Sequence, residues 1–274
     1  MKSQKINLQI VTRIVCISTL LMFSSVASAV ENIKIGMTAA LSGPSAALGT
    51  EMQAGIASYF NYVNSQGGVN GRKLELIVKD DGYEPERAGE NMRSLIMEDD
   101  VVAMIGNVGT PTAVVTVPIA NKYKTVLFGA FSGGDVLRVI PPSRYVINYR
   151  SSYAEETAEM IEGLLLSGIE PTQIAFFTQR DSYGDSGFRG AKKALEHHGF
   201  TDISKLAHGR YTRNTVNVED AVATILDSPV ESKAIIMAGS SAASAKFIRL
   251  LQAELPNVLF LSLSFVDSHS LKKA

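Results

Sequence analysis

The chain has 274 residues, with 26 lysines and arginines against 27 aspartates and glutamates, and one cysteine, Cys16. This balance gives a formal net charge of −1 and argues against a basic surface for nucleic acid or an anionic membrane. With 46% hydrophobic residues, the chain is long enough for one large or two medium-sized α/β domains, stabilised by burial of apolar side chains rather than by disulfides.

The first 29 residues have the three-part pattern of a secretory signal peptide. Lys2, Lys5 and Arg13 precede an apolar run over residues 14–26, and Ala27-Ser28-Ala29 offers the small residues of a cleavage site. The run is shorter than the roughly 20 residues that a membrane-spanning helix needs. We therefore expect cleavage after Ala29, export to the periplasm, and loss of the cysteine with the signal peptide.

Residues 30–144 alternate short β-branched runs, bounded by glycine, with longer segments of helical spacing. This alternation is typical of βα units that build a parallel sheet. It predicts a first α/β lobe with strands at 33–41, 73–79, 101–106 and 125–130, and helices at 49–65, 85–98 and 112–123.

Pro141-Pro142 interrupts the pattern, because neither a helix nor a central strand continues through two prolines. A second α/β lobe is predicted over residues 145–260, with helices at 153–167, 184–198, 218–227 and 241–254 and strands at 174–178, 234–238 and 258–264. No low-complexity linker separates the two lobes, so we expect them to pack together with a cleft between them.

Three glycine-rich turns follow predicted strands of the first lobe, at residues 41–44, 106–111 and 131–135. In an open α/β sheet, ligands bind beyond the carboxyl ends of the strands, where helix N-termini present free N–H groups. One such turn is explained equally well by a tight βα connection. Three of them in one lobe favour a site for a polar group, and none has the spacing of a dinucleotide- or ATP-binding loop.

Two motifs raise the alternatives of catalysis and metal binding. Residues 184–187 read Gly-Asp-Ser-Gly, a string also found around the serine of trypsin-like proteases, but all four histidines follow Ser186 and no nucleophile elbow is present. Adjacent histidines such as His197-His198 point about 100° apart on a helix and do not chelate. Asp80-Asp81, with the nearby glutamates, lacks calcium-loop spacing and predicts a solvated turn. We therefore predict no catalytic residue, no metal site and no cofactor.

Taken in order, several segments resemble the Leu/Ile/Val-binding group of type I periplasmic binding proteins. The resemblance runs from residue 33 to about residue 264, through the segments 39–44, 67–72, 80–81, 105–106 and 181–184. It implies an α/β fold of two lobes, each a parallel sheet flanked by helices, that close by a hinge on a small solute. It also implies docking to the permease subunits of an ABC importer in the inner membrane.

The resemblance further implies which residues contact the solute. In the amino-acid binders, the turn after the third strand holds the ligand carboxylate, the turn after the fourth adds polar groups, and the second lobe contributes helix-start residues. The positions implied here are Val108, Gly109, Thr110, Ser132, Gly133, Ser152, Tyr153 and Tyr183. We expect Thr110 and Tyr183 to lie outside the lobe cores, so that either can be replaced without loss of the fold.

Three departures from the family pattern bear on the identity of the solute. Ser264 and Phe265 stand where the amino-acid binders carry an acidic residue for the ammonium group. The aromatic residue that the family has near Gly239-Ser240 is missing. Leu48 stands where an aromatic side chain often covers the ligand. An amino acid, an amide and a small carboxylate therefore all stay open as the solute.

The family chain returns to the first lobe after the last predicted strand, whereas this sequence ends at Ala274. We expect residues 261–274 to be a truncated hinge return and the first lobe to be incomplete, with exposed apolar surface and lower stability than a full-length relative.

The leading interpretation is a non-enzymatic, monomeric solute-binding protein that serves an ABC importer. A sensory component that reports the same solute to a membrane receptor fits the sequence as well. An exported hydrolase fits it less well.

Overall fold

The computed structural model describes residues 31–273, so the predicted signal peptide and its cleavage site lie outside the described residues. Within this range the chain forms two parallel sheets with helices packed against them. The first sheet has the strand order β2-β1-β3-β4-β5. Its elements, in chain order, are β1 (Ile33–Ala39), α1 (Ala46–Ser65), β2 (Leu74–Asp80), α2 (Pro85–Met97), β3 (Ala103–Ile105), α3 (Thr110–Tyr123), β4 (Val126–Phe128) and β5 (Val146–Ile147).

The second sheet has the order β7-β6-β8-β9. Its elements are α4 (Tyr153–Leu166), β6 (Ile174–Gln179), α5 (Ser182–His197), β7 (His208–Tyr211), α6 (Glu219–Leu226), β8 (Ala234–Ala238), α7 (Ser241–Glu254) and β9 (Leu259–Ser262), followed by the short helix α8 (Ser268–Lys273). Every residue of β6 and β8 is buried, as expected for central parallel strands covered on both faces. The predicted α/β fold of two lobes is therefore confirmed.

The strand β5 extends the first sheet past the predicted lobe boundary at residue 144. Val146 and Ile147 pair with Leu127 and Phe128 of β4. At this edge Phe128 and Ile147 are both exposed, and Tyr149 stacks on the Phe128 ring at 6.5 Å between centroids. The incompleteness of the lobe stays a prediction.

Two sequence motifs take structural roles. His198, at the end of α5, places its Nε2 atom 2.8 Å from the Glu162 carboxylate of α4, so it ties two helices together. The Gly-Asp-Ser-Gly string forms the first turns of α5, where the Ser186 hydroxyl is buried and lies 3.4 Å from the backbone nitrogen of Asp135 in the first lobe. None of the helices within residues 31–273 has both the length and the apolar character required to span a bilayer.

Candidate functional site

A layer of buried aromatic side chains lies between the two lobes, and we call it the aromatic layer. It consists of Tyr83 from the first lobe, Tyr153 and Tyr183 from the starts of α4 and α5, and Phe265 after β9, each at most 1% exposed. Ring centroids are 5.2 Å apart for Tyr153 and Tyr183, 4.7 Å for Tyr183 and Phe265, and 6.0 Å for Tyr83 and Phe265. The rings form one apolar core with Leu48 and side chains at the ends of the strands.

The first lobe presents the start of α3 to this layer. Gly109 precedes the helix with φ 104°, and its N–H donates to the Phe131 carbonyl at 3.2 Å, which holds the turns after β3 and β4 side by side. The hydroxyl oxygens of Thr110 and Ser132 are 2.7 Å apart, and both residues are buried. A helix N-terminus with free N–H groups and two hydroxyls can hold a carboxylate or another acceptor group.

The second lobe meets these turns through Tyr153. Its N–H donates to the Gly133 carbonyl at 2.9 Å, and a side chain at Gly133 would come within 2.6 Å of the Tyr153 ring. Burial raises the pKa of the Tyr153 hydroxyl, while the Gly133 backbone and the hydroxyls of Ser132 and Thr110 act in the opposite direction. The Tyr153 hydroxyl is buried and makes no hydrogen bond of good geometry to any residue in the described range. It is a buried polar group beside the hydroxyls of Ser132 and Thr110.

The structure brings seven of the eight predicted site residues to this layer. The exception is Ser152, whose hydroxyl accepts the Glu155 N–H at 3.1 Å while its own N–H donates to the Glu155 carboxylate at 2.6 Å. This capping box begins α4 and engages the Ser152 hydroxyl. Solute binding by any of the eight residues stays a prediction.

Thr110 is buried as well as Tyr183, and the expectation that Tyr183 lies outside the cores was wrong. Its side chain is fully buried among Tyr153 and Phe265, because the start of α5 faces the other lobe rather than solvent. Removal of a buried aromatic side chain typically costs about 3–5 kcal/mol of stability. Replacement of Tyr183 by alanine would therefore test folding as much as binding.

Sequence reasoning missed Tyr83, which directly follows the Asp80-Asp81-Gly82 turn. The prediction of a solvated turn was wrong for Asp81, which is fully buried and accepts hydrogen bonds from the Thr38 hydroxyl at 2.9 Å and the Tyr83 N–H at 2.8 Å. Burial raises the pKa of Asp81 to about 6. The two aspartates form the turn that places Tyr83 in the aromatic layer. The adjacent pair Asp80-Asp81 was the sequence feature that could have indicated this turn.

The pKa of Asp80, the neighbour of Asp81, is lowered rather than raised. Partial burial favours the protonated form of Asp80. The pKa of Asp80 is nevertheless lowered to about 2, because the carboxylate accepts hydrogen bonds from the Ser42 hydroxyl and from the N–H groups of Leu41 and Gly82, and because Arg87 carries a positive charge nearby. Asp80 is therefore ionised over the whole physiological range, and it joins the turn after β1 to the turn after β2.

An aromatic side chain does reach Gly239-Ser240, although the sequence there has none. The Tyr211 hydroxyl, from β7, accepts the Ser240 N–H at 2.7 Å and donates to the Gln179 side-chain oxygen at 2.9 Å. Because Tyr211 comes from a different strand, only the folded structure shows that it fills this position.

Charged groups stand at the edge of the layer, near the end of β9. The Arg150 guanidinium lies 4.0 Å from the centre of the Phe131 ring and donates to the Ser264 hydroxyl at 2.6 Å. The Glu156 carboxylate accepts the Ser264 N–H at 2.7 Å. Ser264 thus carries no charge itself but binds an arginine and a glutamate.

An open groove adjoins the aromatic layer on the side of α1. It has a volume of about 620 Å³ and is lined mainly by apolar side chains, including Leu48, Met52, Ile56 and Phe131. Leu48 and Phe131 also pack against the aromatic layer, so the groove and the layer share a wall.

Solved structures support the same fold. A possible leucine/isoleucine/valine-binding protein from Rhodopirellula baltica SH 1 is 45% identical, with a TM-score of 0.86 over 91% of this chain and 67% of that one. A substrate-binding periplasmic protein from Ralstonia solanacearum is 29% identical, with a TM-score of 0.79 over 88% of this chain and 66% of that one.

The sequence comparisons identify the family. Leu/Ile/Val-binding protein homolog 7 from Brucella suis biovar 1 is 27% identical over 219 residues, which are 76% of this chain and 53% of that protein. The chain thus spans about half the length of the curated relatives that it matches. The family model described as periplasmic binding protein matches residues 32–274. The chain therefore belongs to the periplasmic binding protein family, within the type I, Leu/Ile/Val-binding group.

Proposed function

We propose that this protein is an extracytoplasmic solute-binding protein that delivers a small organic solute to an ABC importer. The observation that carries the proposal is the buried Tyr153 hydroxyl, which faces the Thr110–Ser132 pair at the start of α3. This arrangement offers hydrogen-bond donors to a carboxylate or amide, and the surrounding rings offer apolar contact to the rest of a small molecule.

The family comparison supports binding rather than catalysis, because the similar proteins are named as binding proteins. Their names refer to branched amino acids, so L-leucine, L-isoleucine and L-valine are the first solutes to test. Amides and small carboxylates follow, because Ser264 provides no carboxylate of its own for an ammonium group. A sensory role uses the same site and differs only in the membrane partner, so copurification with permease subunits distinguishes transport from sensing.

We expect Thr110→Ala to weaken solute binding by about 1–2 kcal/mol, because it removes a hydroxyl from the site and deprives the Ser132 hydroxyl of its Thr110 contact, so that its contact with the Gly134 N–H remains. A thermal-shift screen of the three solute classes selects the ligand, and isothermal titration calorimetry measures its affinity. Thr224→Ala controls for loss of a threonine hydroxyl away from the site, since the exposed Thr224 bonds the Asp220 carbonyl within α6. Urea unfolding of Thr110→Ala establishes that it is folded, because Thr110 is buried. Equal affinity of Thr110→Ala and the parent protein would show that the start of α3 does not hold the solute.

We also propose export to the periplasm with cleavage after Ala29. The basic, apolar and small-residue segments stand in the order that signal peptidase recognises. Intact-mass measurement of the protein from a periplasmic extract is expected to give a chain that begins at Val30. A mature protein that still contains Cys16 would contradict this assignment.

A further inference from the structure

The two lobes are also joined by polar contacts outside the aromatic layer. On the first lobe, residues 82–84 form a corner between β2 and α2, which we call the corner. On the second lobe, Arg213 and Asn214 follow β7. Arg213 Nη2 lies 2.7 Å from the Glu84 carboxylate, and Asn214 Nδ2 donates to the Gly82 carbonyl at 2.9 Å and to the Glu84 carboxylate at 2.6 Å.

The backbone of the corner is shaped by the two aspartates. The Gly82 and Tyr83 N–H groups donate to Asp80 and Asp81 side chains, each at 2.8 Å. Gly82 and Tyr83 have φ values of 57° and 64°, and the left-handed region is rare for a bulky residue such as tyrosine. The two hydrogen bonds offset the cost of this conformation. As a result, Tyr83 enters the aromatic layer while its two neighbours face Arg213 and Asn214.

The same contacts extend to the second-lobe part of the site. The Tyr83 hydroxyl lies 3.4 Å from Gln179 Nε2, which also donates to the Asp181 carboxylate at 2.7 Å. Arg213 Nη1 lies 3.4 Å from that carboxylate. Asp181 caps α5 by accepting the Tyr183 N–H at 3.0 Å. The corner is therefore connected, through Arg213 and Asp181, to the helix that carries Tyr183.

We propose that the corner, Arg213 and Asn214 form a closure latch that stabilises the closed protein without touching the solute. This inference rests on the proposed binding function. The corner follows β2, and Arg213 and Asn214 follow β7; these edge strands lie opposite β5 and β9 in their sheets. Arg150, after β5, bonds Ser264, after β9, so the connection between the lobes lies at the other edge. Opening about that connection is therefore expected to separate Arg213 and Asn214 from the corner. The latch thereby adds to solute affinity and slows solute release.

Solvent exposure limits the size of the effect. The Arg213 side chain is 24% exposed and the Glu84 side chain 43%, so their attraction is partly screened by water. A second interlobe ion pair, Asp135–Arg189, is about half exposed on both sides and contributes less. We therefore expect a change of about fivefold to tenfold in affinity when the latch is removed.

The test uses L-leucine as the probe and the variants Glu84→Ala, Arg213→Ala and their combination. Each single variant is expected to bind L-leucine about fivefold to tenfold more weakly, mainly through faster dissociation. The double variant is expected to be little worse than either single one, because both remove the same contact. Glu84→Gln retains the shape and the Asn214 contact, so it is expected to have an intermediate effect.

The matched control is Glu219→Ala, which breaks the 2.6 Å ion pair with Lys246 inside the second lobe. This variant is expected to leave the dissociation rate unchanged. Urea unfolding of every variant establishes that it is folded. Dissociation of L-leucine from the Arg213→Ala variant at the parental rate would overturn the latch.

Small-angle X-ray scattering without solute tests the latch independently of the probe. We expect the double variant to have a larger radius of gyration than the parent protein and the Glu219→Ala control. If L-leucine does not bind the parent protein, binding of that solute is excluded, and the scattering comparison alone decides the latch. Equal radii for the parent and the double variant would then overturn it.

Discussion

Gly184→Ala is expected to destabilise the protein by about 3 kcal/mol or more, near the upper end of the usual cost of overpacking. Gly184 lies in the first turn of α5, and a Cβ atom there would overlap the Gln179 backbone carbonyl oxygen at the end of β6. That oxygen accepts the Asp181 N–H at 2.9 Å, so the backbone cannot move without loss of the turn. Glycine therefore allows α5 to begin directly above the end of β6 and to place Tyr183 in the aromatic layer.

Gly163→Ala provides the matched control for this substitution. Gly163 is exposed in the last turn of α4, and no atom lies within 4 Å of the position that its Cβ would occupy. Alanine at such a helix position is expected to stabilise the protein by about 0.5–1 kcal/mol. Urea unfolding measures both variants. Similar unfolding midpoints for Gly184→Ala and the parent would show that the contact between α5 and β6 is looser than the structure indicates.

Asp81→Asn is expected to gain about 2 kcal/mol of stability relative to the parent protein as pH rises from 4 to 7. The folded-state pKa of Asp81, about 6, lies above its ordinary value of 3.8. Between these two values the folded protein holds a proton that the unfolded chain has lost, so the free energy of unfolding falls as pH rises. Asparagine can still accept the Tyr83 N–H and does not ionise. Its amide nitrogen cannot accept the Thr38 O–H, and this loss costs about 1–3 kcal/mol at every pH.

The comparison of the two proteins isolates Asp81 from other titrating groups. Burial and the charge of Arg210 lower the pKa of His208 to about 4, so His208 makes stability rise with pH over part of the same range. Both proteins contain His208, and its contribution cancels in the difference between their unfolding free energies. Urea unfolding from pH 4 to pH 7.5 measures that difference. Parallel curves for the two proteins would show that Asp81 is not buried as a carboxyl of raised pKa.

The local pattern of the sequence was sufficient to predict most elements and the fold class. Apolar runs identified the buried strands β6 and β8, because strands covered on both faces carry apolar side chains at most positions. The glycine-rich turn at 106–111 located the start of α3 to within two residues, at 112 against the observed Thr110, and Gly109 there has positive φ. The sequence pattern did not predict β5, which has only two residues. It also did not predict the edge strand β7, because its sequence His-Gly-Arg-Tyr has no apolar run.

Only the tertiary structure showed which distant residues meet between the lobes. Tyr83 and Phe265 are 182 positions apart in the sequence, yet their rings stack, because the ends of strands from both sheets face one another across the cleft. The contact between Glu84 and Arg213 depends on the same approach of the two lobes. Asp81 is buried against Thr38 of β1, which is 43 positions away in the sequence. The sequence determined which side chains stand at the ends of the strands, because hydrophobic periodicity and glycine turns are local properties. The packing of the two lobes decided which of these side chains form one site, because contacts over such separations depend on the whole fold.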